Sequence, residues 1–318
     1  MKQWSIIIPA LNEEKHIGGC LESICQLKGN RDEIEVLVAD NGSSDGTVAI
    51  VNSYASRLNV RAFVCQGLRV GALRNAAAEV ASGRFLAFVD ADCLVHSNWL
   101  ETASEILSSC PGIIIGSPYA LPSEAGWPAR IWHQRFHYDK RGDVSYVPGG
   151  NLLVERAVFW KIGGFDPVLR SNEDSQFCSR AKLSGTRVCA FPELAVVHLG
   201  AEKNLLHFAR RQLWHGSNVI SRAGIRGNAR AIGLAAYTLL CASLIVKGAV
   251  LLEPKLLIAA FLGLLVPPIA MAASKSNDSG IRVMPKVILL ILTYALVRAY
   301  ALPIAAFRGV RAWRPEQR

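Results

Sequence analysis

The sequence predicts an α/β fold of the Rossmann-like class, a mostly parallel sheet flanked by helices, followed by an all-α membrane region. Three observations predict it. Strand-like and helix-like segments alternate over the first hundred residues, turn-forming and acidic residues follow the strands at one edge, and the last third of the chain is apolar and basic.

The elements follow in order. Residues 4–8 read as a short buried strand and the amphipathic stretch 13–27 as a helix. A strand at 34–38, a helix at 45–54, a strand at 60–64, a helix at 70–81 and a strand at 85–89 come next. This repeated βα unit implies parallel pairing with right-handed crossovers. After a short strand at 113–115 the pattern loosens. Residues 117–148 contain Pro118, Pro122, Pro128 and Pro148 with four aromatics between Trp127 and Tyr138, which reads as an irregular covering segment. Helices are expected at 156–162 and 173–183, and strands at 187–191 and 195–198.

Charge divides the 318 residues sharply. Residues 1–200 carry 19 Lys and Arg against 21 Asp and Glu, and residues 201–318 carry 16 against 4, so the net charge of +10 arises entirely from the second part. Three apolar stretches at 231–252, 256–273 and 287–307 are each about long enough to span or enter a bilayer. Residues 205–230 have helical spacing and carry Arg210, Arg211, Arg222, Arg226 and Arg230, which suits a helix lying on the membrane surface. Basic residues beside apolar stretches point to anionic headgroups, and with no nucleic-acid motif present a nucleic-acid partner is set aside.

Lys247 and Arg298 fall inside the apolar stretches, where a charge must snorkel, pair, or face protein or a phosphate. Three full crossings would put Arg308, Arg311, Arg314 and Arg318 outside, against the positive-inside tendency, whereas Lys275, Arg282 and Lys286 would lie inside as expected. A last segment that re-enters at Pro303 is the alternative. No signal-peptide pattern follows Met1, so the first 200 residues are expected on the cytoplasmic side of the plasma membrane. Eight cysteines without Cys-x-x-Cys spacing suggest reduced, mostly buried thiols rather than a zinc site or a disulfide framework.

Asp90-Ala91-Asp92 directly follows the 85–89 strand. Side chains two apart in an extended segment point the same way, so both carboxylates are expected side by side at the strand's carboxyl end, where open α/β sheets bind ligands. Clustered carboxylates repel unless a cation holds them, and Mg²⁺ or Mn²⁺ prefers oxygen ligands and substrate phosphates. The first strand runs into Pro9-Ala10-Leu11-Asn12-Glu13-Glu14 and the second into Asp40-Asn41-Gly42-Ser43-Ser44-Asp45-Gly46-Thr47. Asp40 can accept from a nucleobase ring N–H and Glu13 from ribose hydroxyls. Asn12 and Asp45 are better read as helix caps.

These motifs, with Gly-Ala-Leu-Arg-Asn (71–75), Gly-Gly-Asn-Leu-Leu-Val (149–154), Gly-Gly-Phe-Asp (163–166), Asn-Glu-Asp (172–174) and Pro-Glu-Leu-Ala-Val-Val-His (192–198), make residues 4–200 resemble the family-2 glycosyltransferases of the GT-A fold. The resemblance implies that Pro9, Ala10, Glu13, Asp40, Arg74 and Asp90 hold the nucleotide, with Arg74 near the base and diphosphate. It implies a metal on Asp92 with Asp90, His198 as a further ligand, and Asp174 as the base that activates the acceptor. Glu173 is the rival base, and Gly149, Gly150 and Asn151 would let backbone approach the donor sugar or the acceptor, or form a simple turn. Gln176 departs from the pattern, since many relatives carry an acidic residue there. Arg210-Arg211-Gln212-Leu213-Trp214 does not match the Gln-x-x-Arg-Trp order of processive synthases, which favours addition of a single sugar.

The expected organisation is a GT-A catalytic domain at 1–200, a basic interfacial helix region at 201–230 and a membrane region at 231–318. The expected activity is inverting, non-processive transfer from a UDP- or GDP-linked donor to a lipid-linked acceptor such as polyprenyl phosphate, dependent on Mg²⁺ or Mn²⁺. The alternatives are a soluble acceptor, a tethered nucleotide-sugar-binding protein without turnover, or a glycoside hydrolase.

Overall fold

β1 (Trp4–Ala10) lies near the middle of an eight-stranded sheet ordered β3-β2-β1-β4-β8-β6-β9-β7. The computed structural model describes residues 2–136, 141–216, 229–274 and 283–312. The other strands are β2 (Ile34–Asp40), β3 (Val60–Val64), β4 (Phe85–Val89), β6 (Ile114–Gly116), β7 (Gly142–Asp143), β8 (Asn151–Glu155) and β9 (Val188–Ala190). β3, β2, β1 and β4 run parallel, as the βα repeat requires. β8 enters antiparallel between β4 and β6, so the sheet is mixed, mostly parallel. A separate two-stranded sheet joins β5 (Cys93–Leu94) to β10 (Val197–His198).

Strand alternation sends side chains to two layers of helix. Trp4, Ile6 and Ile8 of β1 pack with Phe85, Ala87 and Val89 of β4 against α1 (Ile17–Cys25) and α4 (Trp99–Ser109). Ile7, Leu86 and Phe88 face α3 (Val70–Glu79), α6 (Arg156–Ile162) and α7 (Glu173–Leu183). α1 buries Ile17, Cys20, Leu21, Ile24 and Cys25, one stripe at helical spacing. α2 (Thr47–Ser53) lies between β2 and β3 in the chain.

The chain divides into two units, Met1–Glu124 with Phe136–Ala201, and Ala125–Arg135 with Glu202–Arg318. The stretch expected to be irregular contains a helix, α5 (Trp127–Phe136). Pro128 is its second residue, where a missing N–H costs nothing, so the proline starts the helix rather than preventing it. Tyr138 lies outside the described residues. β8 was absent from the expected strands, because five residues buried from both sides show no alternation to read.

In the second unit α8 (Leu205–Gly216) is the described part of the basic helix, and Arg222 and Arg226 lie outside the described residues. Arg230 belongs to the next helix, Ala229–Val250, rather than to a continuous 205–230 helix. Helices Pro254–Ser274 and Met284–Ala312 follow. Three windows, Ala231–Val250, Pro254–Met271 and Met284–Ala306, are long and apolar enough to cross a membrane; a third or less of each is buried, and Val246, Phe261, Leu262 and Leu296 are exposed. The last helix is continuous through Pro303, and a 23-residue window rises about 35 Å, enough for a crossing. Lys275, Arg282, Arg314 and Arg318 lie outside the described residues.

Candidate active site

β4 ends at Val89, and Asp90-Ala91-Asp92-Cys93 is a turn closed by Cys93 N–H donating to Asp90 O at 3.0 Å. The extended geometry expected for Asp90 and Asp92 is therefore corrected. A turn, not strand parity, brings the carboxylates together. β5 leaves this turn and pairs with β10, opposing Cys93 to His198, while Leu199 N–H donates to Asp92 O at 2.8 Å. His198 Nε2 then stands 3.4 Å from Asp92 Oδ2. A Cβ on Gly200 would come within 2.4 Å of that oxygen, so only glycine lets the chain turn away so close to it.

Asp90, Asp92, Cys93 and His198 each offer a donor atom, and the four atoms lie within 4.8 Å of one another. The set fits a divalent cation. Two carboxylates and an imidazole suit Mg²⁺ or Mn²⁺, whereas burial, with Asp90 and Asp92 adding, holds the Cys93 thiol protonated. Asp92 and His198 are the members with least committed elsewhere, since Asp90 Oδ1 accepts from Arg74 at 2.7 Å and Oδ2 from the Tyr119 hydroxyl at 3.0 Å.

Arg74 is 3% exposed on the Leu73–Ala77 face of α3 and bridges two acids. Its Nη2 donates to Asp90 and its Nη1 to Glu173 Oε1 at 2.6 Å, above the ring of Phe165. Burial alone would raise the Asp90 carboxyl, but Arg74 leads the groups that hold it below its ordinary value. The resemblance places Arg74 beside the diphosphate. In the structure both terminal nitrogens are taken, so its charge reaches the site through Asp90. Cβ atoms at Gly149 and Gly150 would lie 2.8 Å from Arg74 Nη1 and 2.0 Å from Asp90 Oδ2, so both glycines serve this network. Asn151 is fully buried, its amide donating to Ser117 O and Leu194 O.

Glu173 and Asp174 open α7 and diverge. Glu173 is tied to Arg74, whereas Asp174 Oδ2 accepts from Gly149 N–H at 2.9 Å and Oδ1 from Ser175 N–H at 2.7 Å. A helix start was expected to keep Asp174 ionised. Burial and the adjacent Glu173 outweigh the two backbone donors and push its pKa up to about 6. Gln176 accepts from Arg180, whose terminal nitrogens donate to Ile162 O and Gly164 O and so hold the Gly163-Gly164 turn.

The first two strand ends meet beside this centre. Pro9 pairs with Ala39 and Ala10 with Asp40. Asp40 is 1% exposed and accepts from Gly42 N–H, Ser43 N–H and Ser43 Oγ, so a base N–H reaching it would share an oxygen with its own turn. Glu13 accepts a contact from His16 at 3.1 Å, and burial, with Asp92 and Asp90 adding, raises its carboxyl. Asp45 accepts from Thr47 N–H and Oγ1 at the start of α2, but the N-cap residue itself is Gly46, one position on from the expected cap. Asn12, with φ of 55°, instead accepts from Ser44 N–H and links the two turns.

A family model described as Glycosyl transferase family 2 matches residues 5–163, half of the chain. The chain belongs to glycosyl transferase family 2. Among similar proteins, Glycosyltransferase AglE of Haloferax volcanii is 30% identical over 190 residues, 57% of this chain and 62% of that protein. Poly(ribitol-phosphate) beta-N-acetylglucosaminyltransferase TarS of Staphylococcus aureus is 26% identical over 207 residues, 61% of this chain and 35% of that protein. The chain thus spans less than two thirds of the length of these relatives. The fold is shared with a mannosyltransferase, PcManGT of Pyrobaculum calidifontis, solved with GDP-Man and Mn²⁺ (TM-score 0.62, 20% identity, 98% of this chain, 88% of that one). It is shared too with S. aureus TarS 1-349 solved with UDP-GlcNAc (TM-score 0.54, 19% identity, 98% and 93%).

Glu173, Asp174 and His198 lie beyond the stretch that the family 2 model matches. Three residues at the site escaped the sequence reading. Tyr119, which bonds Asp90 and packs on the His198 ring with centroids 4.7 Å apart, sits in the segment taken as irregular. Cys93 reads as one scattered thiol, although it directly follows Asp92. Gly200 stands two residues past His198 and carries no local signal.

Proposed function

We propose that the protein is a membrane-bound, metal-dependent, inverting glycosyltransferase that passes one sugar from a UDP- or GDP-linked donor to a membrane-embedded acceptor, polyprenyl phosphate or a lipid-linked saccharide. One observation carries the reading. Arg74 joins Asp90, in the cation-competent turn, to Glu173, whose neighbour Asp174 has a pKa of about 6. A carboxylate of the cation-competent turn, for the leaving side, and a base for the attacking side are thereby held in one buried frame.

Transfer breaks the bond between C1 and a diphosphate oxygen and forms one between C1 and the acceptor oxygen. A divalent ion bound at Asp92, Asp90 and His198 would supply charge to neutralise the departing diphosphate. Where the acceptor is a lipid-linked saccharide, Asp174 takes its hydroxyl proton, and a carboxyl poised near 6 is unprotonated yet basic at neutral pH; a polyprenyl phosphate attacks through an oxygen that is already ionised and needs no such transfer. Glu173 is neutralised by Arg74 and positions that helix start. Direct displacement, with no second nucleophile, inverts C1. The three apolar helices and the absence of the processive motif order support a bilayer acceptor and single-sugar addition. The domain expectation of 1–200, 201–230 and 231–318 is kept as part of this proposal, with Ala125–Arg135 grouped with the second part.

The test presents labelled UDP- and GDP-sugars to the purified full chain with a membrane lipid extract, with and without EDTA. EDTA-sensitive transfer of label into the lipid phase is expected. Donor binding without transfer to any lipid would replace the proposal by a tethered binding protein, and EDTA-resistant sugar release by a hydrolase.

A further inference from the structure

Arg298 sits inside the last long helix, eight residues before the end of its apolar window, about 12 Å along the axis. The residue is half-buried rather than fully open. Its Nη2 donates to Gln212 Oε1 of α8 at 3.2 Å, and its guanidinium lies over the Tyr294 ring, 5.1 Å from the centroid. Its Nε and Nη1 are buried and have no hydrogen-bond acceptor among the described residues. A buried N–H group of a charged side chain without an acceptor is a costly feature that a fold retains only for a reason.

α8 is shaped to meet it. The buried stripe of that helix is Phe208, Gln212 and Gly216, four residues apart, and Gln212 is the one polar side chain in it. At Gly216 a Cβ would lie 3.2 Å from Arg298 Cδ and 3.3 Å from Nη1, so glycine lets the arginine lie along the helix backbone. No Asp or Glu occurs between Lys203 and Leu252 or between Met284 and Ala312, so neither helix supplies a counter-charge. Arg211 pairs with Glu202 at 3.5 Å. The local field is positive enough that burial, with Arg211 and Arg298 adding, pushes the His215 pKa down to about 4. At neutral pH that imidazole is uncharged, so the positive charge at this place is the guanidinium.

We infer that Arg298 and Gln212, at the step made by Gly216, form a binding site for a phosphate group carried on a lipid, which on the reading above is the phosphate of the acceptor. The unpartnered Nε–H and Nη1–H groups flank the Nη2 that Gln212 holds, so a phosphate oxygen can be met on either edge of the planar guanidinium, and the amide of Gln212 adds a donor from the facing helix. An apolar helix around the site suits a hydrocarbon tail, and a soluble anion gains nothing from it.

The full chain in phosphatidylcholine nanodiscs is titrated with a polyprenyl monophosphate, with the matching polyprenol, with phosphatidylglycerol and with inorganic phosphate, following binding by native mass spectrometry. Polyprenyl monophosphate is expected to bind at least tenfold more tightly than polyprenol or inorganic phosphate. Arg298→Gln is expected to remove that preference, Arg298→Lys to retain part of it, and Gln212→Ala to weaken it about threefold. Preference for phosphatidylglycerol would keep the lipid-phosphate site but assign it to a bulk lipid. Equal binding of inorganic phosphate, or unchanged binding in a folded Arg298→Gln protein, overturns the inference. If Arg298→Gln fails to fold, Arg298→Lys and Gln212→Ala decide, since unchanged binding in both is equally fatal. Nucleotide-diphosphate binding and donor-sugar hydrolysis, read on the same samples, report on the glycosyltransferase reading separately, because neither needs the lipid.

Discussion

Gly150 and Asp90 approach so closely that a Cβ on the glycine would stand 2.0 Å from Asp90 Oδ2, well inside contact distance. Asp90 has no room to yield, being held by Arg74 on one oxygen and Tyr119 on the other. Gly150→Ala should therefore cost about 1–3 kcal/mol of stability and lower transfer by a larger factor, because the displaced carboxylate belongs to the cation cluster. Gly233→Ala, where a Cβ meets nothing inside a helix, is the control and should leave transfer unchanged while raising stability by at most about 1 kcal/mol. Thermal melts and initial rates on the two variants measure this.

The pH dependence of transfer should carry the signature of Asp174. A base must be unprotonated, so with a hydroxyl-bearing, lipid-linked saccharide as acceptor the rate is expected to rise tenfold per pH unit below about 6 and level above it. Asp174→Asn should lower turnover by about 10²–10⁴-fold while nucleotide binding stays within about twofold of the parent. A pH profile of kcat that keeps the same rising limb in a slow Asp174→Asn enzyme would assign the base elsewhere.

The same group should leave a mark on stability. Its folded pKa is raised, so the folded state holds the proton more tightly than the unfolded chain. The stability it contributes is present below about pH 4 and is lost as pH rises through about 6. Asp174→Asn is thus expected to gain melting temperature relative to the parent at pH 7 more than at pH 4, a difference that paired scans at the two pH values would show.

Glu173→Ala removes one partner of a guanidinium that is 4% exposed at its side chain. Leaving that charge half-paired should cost about 3–5 kcal/mol, visible as a lower midpoint in urea. The loss should fall on stability first, since Glu173 is a positioning residue whose carboxylate is already spent on Arg74. A midpoint unchanged within error would mean that Arg74 finds another acceptor.

Removing His198 should weaken the cation rather than the fold. His198→Ala is expected to reduce Mn²⁺ affinity by at least about tenfold, followed by the paramagnetic signal of Mn²⁺ in the presence of UDP or GDP. Asp92→Asn should be more severe, and both should be rescued in part by excess Mn²⁺.

The fold was legible where a local pattern repeats. Ile17, Cys20, Leu21 and Ile24 announce α1 by spacing alone, and β1, β2, β3 and β4 by apolar runs between turn residues. It was illegible where pairing is long-range. β8 is defined by neighbours some sixty residues back, β4, and forty back, β6, and the two-residue β5 exists only because β10 lies beside it. The site divides the same way. Asp90 and Asp92 stand out in sequence because two acids end a buried strand, but their geometry comes from a turn that a residue pattern does not distinguish from an extended end. Tyr119 and Gly200 gain their roles only from what folds against them.

The imidazole and the carboxylates of the cation cluster sit on opposite sides of most of the first unit's chain, and β10 is among its last elements. During synthesis the acids at the end of β4 emerge long before the histidine, so a nascent chain halted anywhere between them holds half a chelate. The four donor atoms can thus meet only once this unit is complete, before the apolar helices that follow it in the chain.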